Sequence, residues 1–231
     1  NPTTVTLEIY SLPLPPIATS QTACYGDPTP DLTAIGTNLK WYLDAGLTSL
    51  DGTGLSYSTG QTAPAIYTYY VTETDGNGCE SNPTTVTLEI YSLPTADFTY
   101  TFLAGGGCGT STALFDGNVG PAGSNNGSGV INYWDWNFGD PINFPNTWTS
   151  SVNGNSDHLY GPATGPYDVT LIVTDNYNCV SAPQVNSITL WPTIQASFSS
   201  PPPVCFGDLM TFNASASTGS STGGVVSYEY V

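Results

Sequence analysis

Basic side chains are nearly missing from this chain: Lys40 is the only lysine, His158 the only histidine, and arginine does not occur in 231 residues. Against them stand eighteen Asp and Glu, for a formal net charge of −17 at pH 7. That balance argues against nucleic acid and anionic membrane surfaces as partners, because both are bound through clustered Lys and Arg that displace counterions. It also removes most catalytic apparatus, since proton transfer and nucleophilic attack need several tuned groups gathered in a pocket. No run approaches the roughly 18 apolar residues of a membrane-spanning helix, so direct membrane insertion is not expected. No Cys-x-x-Cys pair occurs, which removes the usual signature of structural zinc. No secretory leader heads the sequence, as expected of an internal fragment.

Low charge with 25 Gly and 19 Pro could signal disorder, but fifteen Tyr, five Trp and eight Phe supply enough apolar area for a packed core. The stretch Asn1-Pro-Thr-Thr-Val-Thr-Leu-Glu-Ile-Tyr-Ser-Leu-Pro13 returns letter for letter at residues 82–94. Val86, Leu88 and Ile90 alternate with Thr87, Glu89 and Tyr91, as do Val5, Leu7 and Ile9 in the first copy, which is the pattern of a half-buried strand. Each copy ends in Leu-Pro, where a residue without an N–H stops the ladder. A repeat of this kind marks a tandem array. Residues 1–13 are expected to be the last strand and linker of a preceding module, and residues 14–93 the first whole module. Residues 94–191 are expected to be the second, and 192–231 the first part of another.

Inside the modules, residues 32–35, 38–43 and 66–72 read as strands, with Trp41 a core anchor, and 44–60 as short strands joined by turns. Asp75-Gly-Asn-Gly78 supplies residues that tolerate positive φ for a tight hairpin. In the second module Tyr167, Val169, Leu171 and Val173 share one face, and Trp134, Trp136 and Phe138 share another. With no helical periodicity, the fold class is all-β: tandem antiparallel β-sandwiches of about seven strands each. Leu12-Pro-Leu-Pro-Pro16, Leu93-Pro94 and Trp191-Pro192 are short proline joints, which predict modules set end to end as a semi-rigid rod.

Five cysteines fall at 24, 79, 108, 179 and 205. Cys24 opens Cys-Tyr-Gly-Asp27 and Cys205 opens Cys-Phe-Gly-Asp208, an early place in each module. Cys79 follows Asp75-Gly-Asn-Gly78 and Cys179 follows Asp175-Asn-Tyr-Asn178, a late place. One early and one late cysteine per module predicts the disulfides Cys24–Cys79 and Cys108–Cys179, with the partner of Cys205 beyond Val231. Such bonds belong to an oxidising, extracellular setting. Closing a loop of about 56 residues is worth roughly 4 kcal/mol on the chain-entropy model.

Tyr133-Trp-Asp-Trp-Asn-Phe-Gly-Asp140, His158-Leu-Tyr160 and Gly165-Pro-Tyr-Asp-Val-Thr-Leu-Ile-Val-Thr-Asp175 resemble, in order and spacing, the signature of PKD domains. That resemblance places Gly139-Asp140 in a tight turn and makes residues 141–157 a longer insertion than usual, carrying Phe144 and Trp148 as candidate ligand-loop residues. The first module, with Cys-x-Gly, Lys40-Trp-Tyr42 and Tyr69-Tyr-Val-Thr-Glu73 before a Gly-Cys turn, resembles immunoglobulin-like repeats of long surface proteins of Bacteroidota-type bacteria exported by type IX secretion. Alternation of the two is similar to the giant gliding-motility adhesins (SprB type). The resemblance implies an extracellular fibre on the cell surface whose modules act as spacers. Its partners would be surface glycans, surface proteins or other copies of the fibre. The other readings are a glycan- or protein-binding module and a spacer region of a secreted multidomain hydrolase.

No catalytic residue and no cofactor is assigned. His158 is expected to make a structural hydrogen bond, Lys40 to be solvated rather than joined to Asn or Asp by an isopeptide bond, and Asp135 and Asp140 to satisfy turn amides rather than act as a pair. Calcium is the ligand that the composition leaves open, with Asp97 and Asp116-Gly-Asn118 as hard-oxygen donors, but no EF-hand-like loop is present and no site is assigned. Asn126-Gly-Ser128 and Asn213-Ala-Ser215 match the glycosylation sequon, a pattern too common to weigh.

Overall fold

In the computed structural model, which describes residues 3–103, 107–118, 127–143, 145–161 and 165–219, the described residues form strands and no helix. Two units divide the strands, and each closes around its own core. The first holds β1 (Ile17–Thr19), β2 (Gln21–Cys24), β3 (Leu32–Ile35), β4 (Leu39–Tyr42), β5 (Leu50–Thr53), β6 (Ser56–Tyr57), β7 (Ala65–Glu73) and β8 (Thr84–Tyr91). The second holds β9 (Thr99–Phe102), β10 (Ser111–Asp116), β11 (Ile131–Asn137), β12 (Thr147–Ser150), β13 (Asn155–Tyr160), β14 (Pro166–Asp175) and β15 (Gln184–Thr189).

In the first unit a sheet of order β1-β3-β6 packs on one of order β2-β8-β7-β4-β5. The chain changes sheets between β1 and β2 through Ser20, whose hydroxyl accepts the Thr87 N–H at 3.0 Å. That switch lays β2 parallel to β8, with Gln21 opposite Leu88 and Cys24 opposite Tyr91, so this sandwich is not antiparallel throughout. Leu32, Ala34 and Tyr57 from one sheet meet Trp41, Tyr69, Val71, Val86, Leu88 and Ile90 from the other. Trp41 stacks on Tyr57 at 5.3 Å and donates its indole N–H to the Gly54 carbonyl at 2.9 Å, so burying it leaves no polar atom unpaired.

The repeated segment shows what the sheet contributes. In β8, Val86 and Leu88 are 0 % exposed; their counterparts Val5 and Leu7 are 91 % and 85 % exposed in a segment that forms no strand. The same residues become a strand where β2 and β7 flank them, because pairing and burial outweigh intrinsic propensity.

The second unit packs β13-β10-β9 on β12-β11-β14-β15. Trp134, Trp136 and Phe138 point inward together with Tyr167, Val169, Leu171 and Val173, as the alternation predicts. Trp136 lies at the centre, edge-on to Phe98 at 4.9 Å and tilted on Phe115 at 5.4 Å. Residues 192–219 carry two isolated antiparallel bridges, Gln195 to Thr218 and Ser199 to Asn213, and Phe198 is 62 % exposed where Phe98 of the preceding module is 3 %.

The late hairpins of the two units are built alike. Asp75 accepts the Asn77 and Cys79 amides on one oxygen, at 2.9 and 2.8 Å, and Asp175 accepts those of Tyr177 and Cys179, both at 2.9 Å. Gly78 and Asn178 take the positive φ that the turn requires, 83° and 64°. Ser81 and Ser181 then each close the hairpin onto the preceding strand, accepting the Glu73 and Val173 amides at 3.0 Å.

Neither predicted disulfide forms. Cys79, Cys108 and Cys205 are thiols, while Cys24 and Cys179 are disulfide-bonded. The reason lies in the parallel pairing. Cys24 stands beside Tyr91 at the C-terminal end of β8, whereas Cys79 precedes Thr84 at its N-terminal end. Seven strand steps put those ends about 23 Å apart, and a disulfide needs Cα atoms within about 7 Å. The second unit repeats the separation, with Cys108 bridged in parallel to Trp191 and Cys179 preceding Gln184.

Candidate functional site

The second unit's only imidazole lies in a closed network at the end of β11. Asn137 accepts the Gly139 N–H at 2.9 Å, and Gly139 turns the chain at φ 68°. A Cβ there would lie 2.5 Å from the Asp168 carbonyl oxygen, so glycine is required twice over, by dihedral and by space. The turn aims the Asp140 carboxylate inward, where it is fully buried. Its oxygens accept the Ile142 and Asn143 amides at 3.0 and 3.2 Å, the Asn143 side-chain amide at 2.8 Å, and lie 3.3 Å from His158 Nε2. Burial alone raises this carboxyl, but the hydrogen bonds from Asn143, Ile142 and His158 outweigh it and hold it below the ordinary carboxylate range.

His158, on β13, is 5 % exposed, stacks on Phe138 at 4.6 Å and meets the edge of Tyr160 at 4.5 Å. Tyr160 donates to the Phe138 carbonyl at 2.9 Å, and its hydroxyl is pushed well above the ordinary phenol range by burial first and the Asp140 charge second. A substrate has no access to this imidazole, and the Asp140 oxygens are already spent on four donors. What the arrangement does is clamp the β11 turn to β13. Asp135 is not part of it: it lies on the exposed face of β11, opposite Thr149 and Ile172, so the two carboxylates do not form a pair.

Lys40 is not simply solvated. Its ammonium lies 2.9 Å from Glu80 Oε2, while Glu80 Oε1 accepts the Tyr42 and Thr72 hydroxyls at 2.6 Å each. Burial raises the Glu80 carboxyl, but Thr72, Tyr42 and Lys40 together hold it below its ordinary value of 4.5. Tyr42 is raised to about 12, by burial first and then by donating to Glu80. A carboxyl lowered on folding adds stability above its unfolded pKa and loses it as pH falls through the folded value. Glu80→Gln should therefore destabilise the first unit by about 1 kcal/mol at neutral pH, the group being partly exposed. The difference from the parent should shrink below about pH 4 in urea titrations across pH.

Residues 141–157 are not an unstructured insertion. They build β12 at the sheet edge and the start of β13, and Trp148 sits opposite Trp136, half-buried against the core. Trp148 is therefore largely a packing residue rather than a free aromatic platform. Phe144 lies outside the described residues. Asp97 accepts the Phe98 amide at 2.8 Å and Asp116 that of Asn118 at 2.9 Å, both local turn bonds. Among the described residues no three His, Cys, Asp or Glu side chains gather as a metal would need. An open groove across β9, β10 and β13 is lined by Tyr100, Leu114, Asp116 and Asp157. Sequence reading missed it, although the outward-facing alternate residues of those strands carry it.

Comparison with known proteins agrees with the strand architecture. Residues 13–91 match the model "Ig-like domain CHU_C associated" and residues 107–190 the model "PKD domain". A search of curated proteins returned no match. Among solved structures, the fibronectin(III)-like modules of Clostridium thermocellum CbhA are 14 % identical, covering 75 % of this chain and 90 % of that one at a TM-score of 0.36. The FN1-FN3 domains of chicken CNTN1 are 12 % identical, over 78 % of this chain and 65 % of that one, at 0.37. The D00-D0 domain of Intimin is 13 % identical, over 74 % and 93 %, at 0.26. Ig-like and PKD repeats are typically non-catalytic and, with a disulfide, point to an extracellular protein. The two matched stretches follow one another along the chain, one in each unit.

Proposed function

We propose that this chain is a structural, adhesive segment of a long secreted cell-surface fibre, its modules serving as semi-rigid spacers. The observation that carries this reading is how the few chemically capable side chains are used: His158 is enclosed against Asp140, and Lys40 is tied to Glu80. A role in bacterial adhesion or gliding after type IX export rests on the repeat types and is part of the same proposal. Surface glycans, surface proteins or other copies of the fibre are the proposed partners, and neither calcium nor another cofactor is invoked. The test is a panel of glycoside, peptide and ester substrates. No turnover is expected; turnover abolished by His158→Ala, in a variant that keeps its unfolding transition, would make the segment an enzyme.

A second reading, a glycan-binding module, is favoured by the groove beside Tyr100, a ring 37 % exposed among polar Asp and Thr neighbours. It predicts glycan-array binding that Tyr100→Ala removes. Binding that survives this change would place the ligand elsewhere.

A further inference from the structure

β13 is an edge strand: β10 pairs with it on one side and, among the described residues, no strand pairs with it on the other. Gly117 donates to the Gly154 carbonyl at 3.2 Å just beyond the paired residues, so the bonded pairs of this antiparallel ladder are Phe115 with Ser156 and Ala113 with His158. The backbone groups of Asp157 and Leu159 therefore face the open side. The Asn155 amide is already taken by the Asn153 side chain at 3.1 Å. Asp157 and Leu159 are exposed on the outer face of the sheet, Asp157 opposite Leu114 and Asn155 opposite Asp116. The two aspartates are diagonal neighbours on adjacent strands, about 7 to 8 Å apart at Cα. Both border a groove of about 460 Å³. Of the edge strands β9, β12, β13 and β15, only β13 carries an acidic residue.

We propose that β13 receives an added strand from a different protein, an extended segment whose lysines lie over Asp157 and Asp116. Charge complementarity selects this partner. The second unit holds neither Lys nor Arg, and its histidine is enclosed, so nothing within it answers these carboxylates. A second copy of the chain is a poor occupant, because two β13 edges would bring like charges together. The chain's one lysine cannot serve either: Lys40 lies on β4, between β5 and β7, and is tied to Glu80. Ladder bonds to Asp157 and Leu159 supply the affinity, and the register of the face sets the side chains. It asks for an apolar residue opposite Leu159, a lysine opposite Asp157, and a second lysine opposite Asn155, whose stem crosses toward Asp116 on the next strand. This inference goes beyond the spacer reading and does not depend on the glycan reading of the same groove.

The probe is a synthetic eight-residue peptide in which one leucine and two lysines alternate with threonine, titrated into the isotope-labelled whole chain. At saturation, amide hydrogen exchange at Asp157 and Leu159 should slow by about tenfold or more. Asp116→Asn combined with Asp157→Asn should weaken binding about tenfold, the joint worth of two exposed ion pairs, with the unfolding transitions unchanged. Two further peptides, N-methylated at alternate residues, separate an added strand from simple charge attraction. One set of N–H groups faces β13 and the other faces away, so only one of the two should lose binding. Absence of binding at about 1 mM peptide, equal binding to the double variant, or equal behaviour of the two methylated peptides would overturn the proposal. Slowed exchange at Asp157 on concentrating the chain alone would make a second copy the occupant. A chitosan hexamer that binds more tightly than the peptide and leaves that exchange unchanged would assign the groove to an amino sugar instead.

Discussion

Trp136→Ala should cost the second unit about 3 to 5 kcal/mol, the range for truncating a large buried aromatic. The ring is fully buried, with Phe98, Phe115 and Phe138 at 4.9, 5.4 and 6.2 Å. Phe115 stands on β10 of the facing sheet, Phe98 just before β9 and Phe138 just after β11, so they cannot all close on the void. For a domain of about 100 residues this lowers the melting temperature by about 15 to 30 °C. The first unit has a separate core centred on Trp41, and its transition should stay where it was. Trp148→Ala is the control: its ring is half-buried at the edge, and about 1 kcal/mol is expected. Calorimetry reads both, since two resolved transitions should move apart in the first variant and hardly change in the second. Equal effects of the two substitutions would mean that Trp136 is not the centre of the core.

Asp140→Ala is expected to cost about 3 kcal/mol, because it empties the site of a fully buried carboxylate and leaves the buried His158, with the partly buried amides of Ile142 and Asn143, without their acceptor. The pH dependence separates this from a simple loss of packing. Asp140 has its carboxyl lowered on folding, so its contribution is complete above the ordinary carboxylate pKa of about 4 and is lost as pH falls through the folded value. The parent should lose stability steeply below about pH 4, and Asp140→Ala should flatten that limb. Asp140→Asn keeps the shape without the charge and should lie between the two. Chemical denaturation at a series of pH values reads all three curves. Parallel acid limbs in the parent and Asp140→Ala would mean that the carboxylate carries none of the acid sensitivity.

How much of this was legible in the sequence depends on what each feature rests on. β7, β8 and β14 were plain because their inward and outward residues alternate over eight to ten positions. Local turn chemistry was also plain: Asp75 and Asp175 do what short acceptors before a positive-φ residue are expected to do. Gly139-Asp140 and His158-Leu-Tyr160 stood out through spacing, and His158 makes a structural hydrogen bond, as expected, but nothing in the spacing says that its partner is Asp140.

What stayed hidden was non-local. β1 and β2 are three and four residues long, and nothing in Ile17–Cys24 says that the chain changes sheets at Ser20. That switch decides that β2 runs parallel to β8 and so decides which end of the sandwich holds Cys24. The early and late places of the cysteines in the sequence therefore do not translate into a bond between them, and Cys79 and Cys108 are thiols. β12 was missed because four residues, Thr147–Ser150, stand among Pro, Asn and Ser, and Trp148 looked like a loop aromatic until its partner strand was known.

Small-angle scattering of the oxidised chain tests the spacer reading most directly. Tyr91 ends β8 and Ala96 is already in the core of the second unit, so only a few residues around Pro94 join the two sandwiches. A short proline-containing joint restricts the chain and disfavours lateral packing. The expected result is a maximum dimension near twice that of a single module, with the elongated pair-distance distribution of a rod. A compact, single-peaked distribution with the dimension of one globule would mean that the modules fold back on each other, and the spacer account would fail.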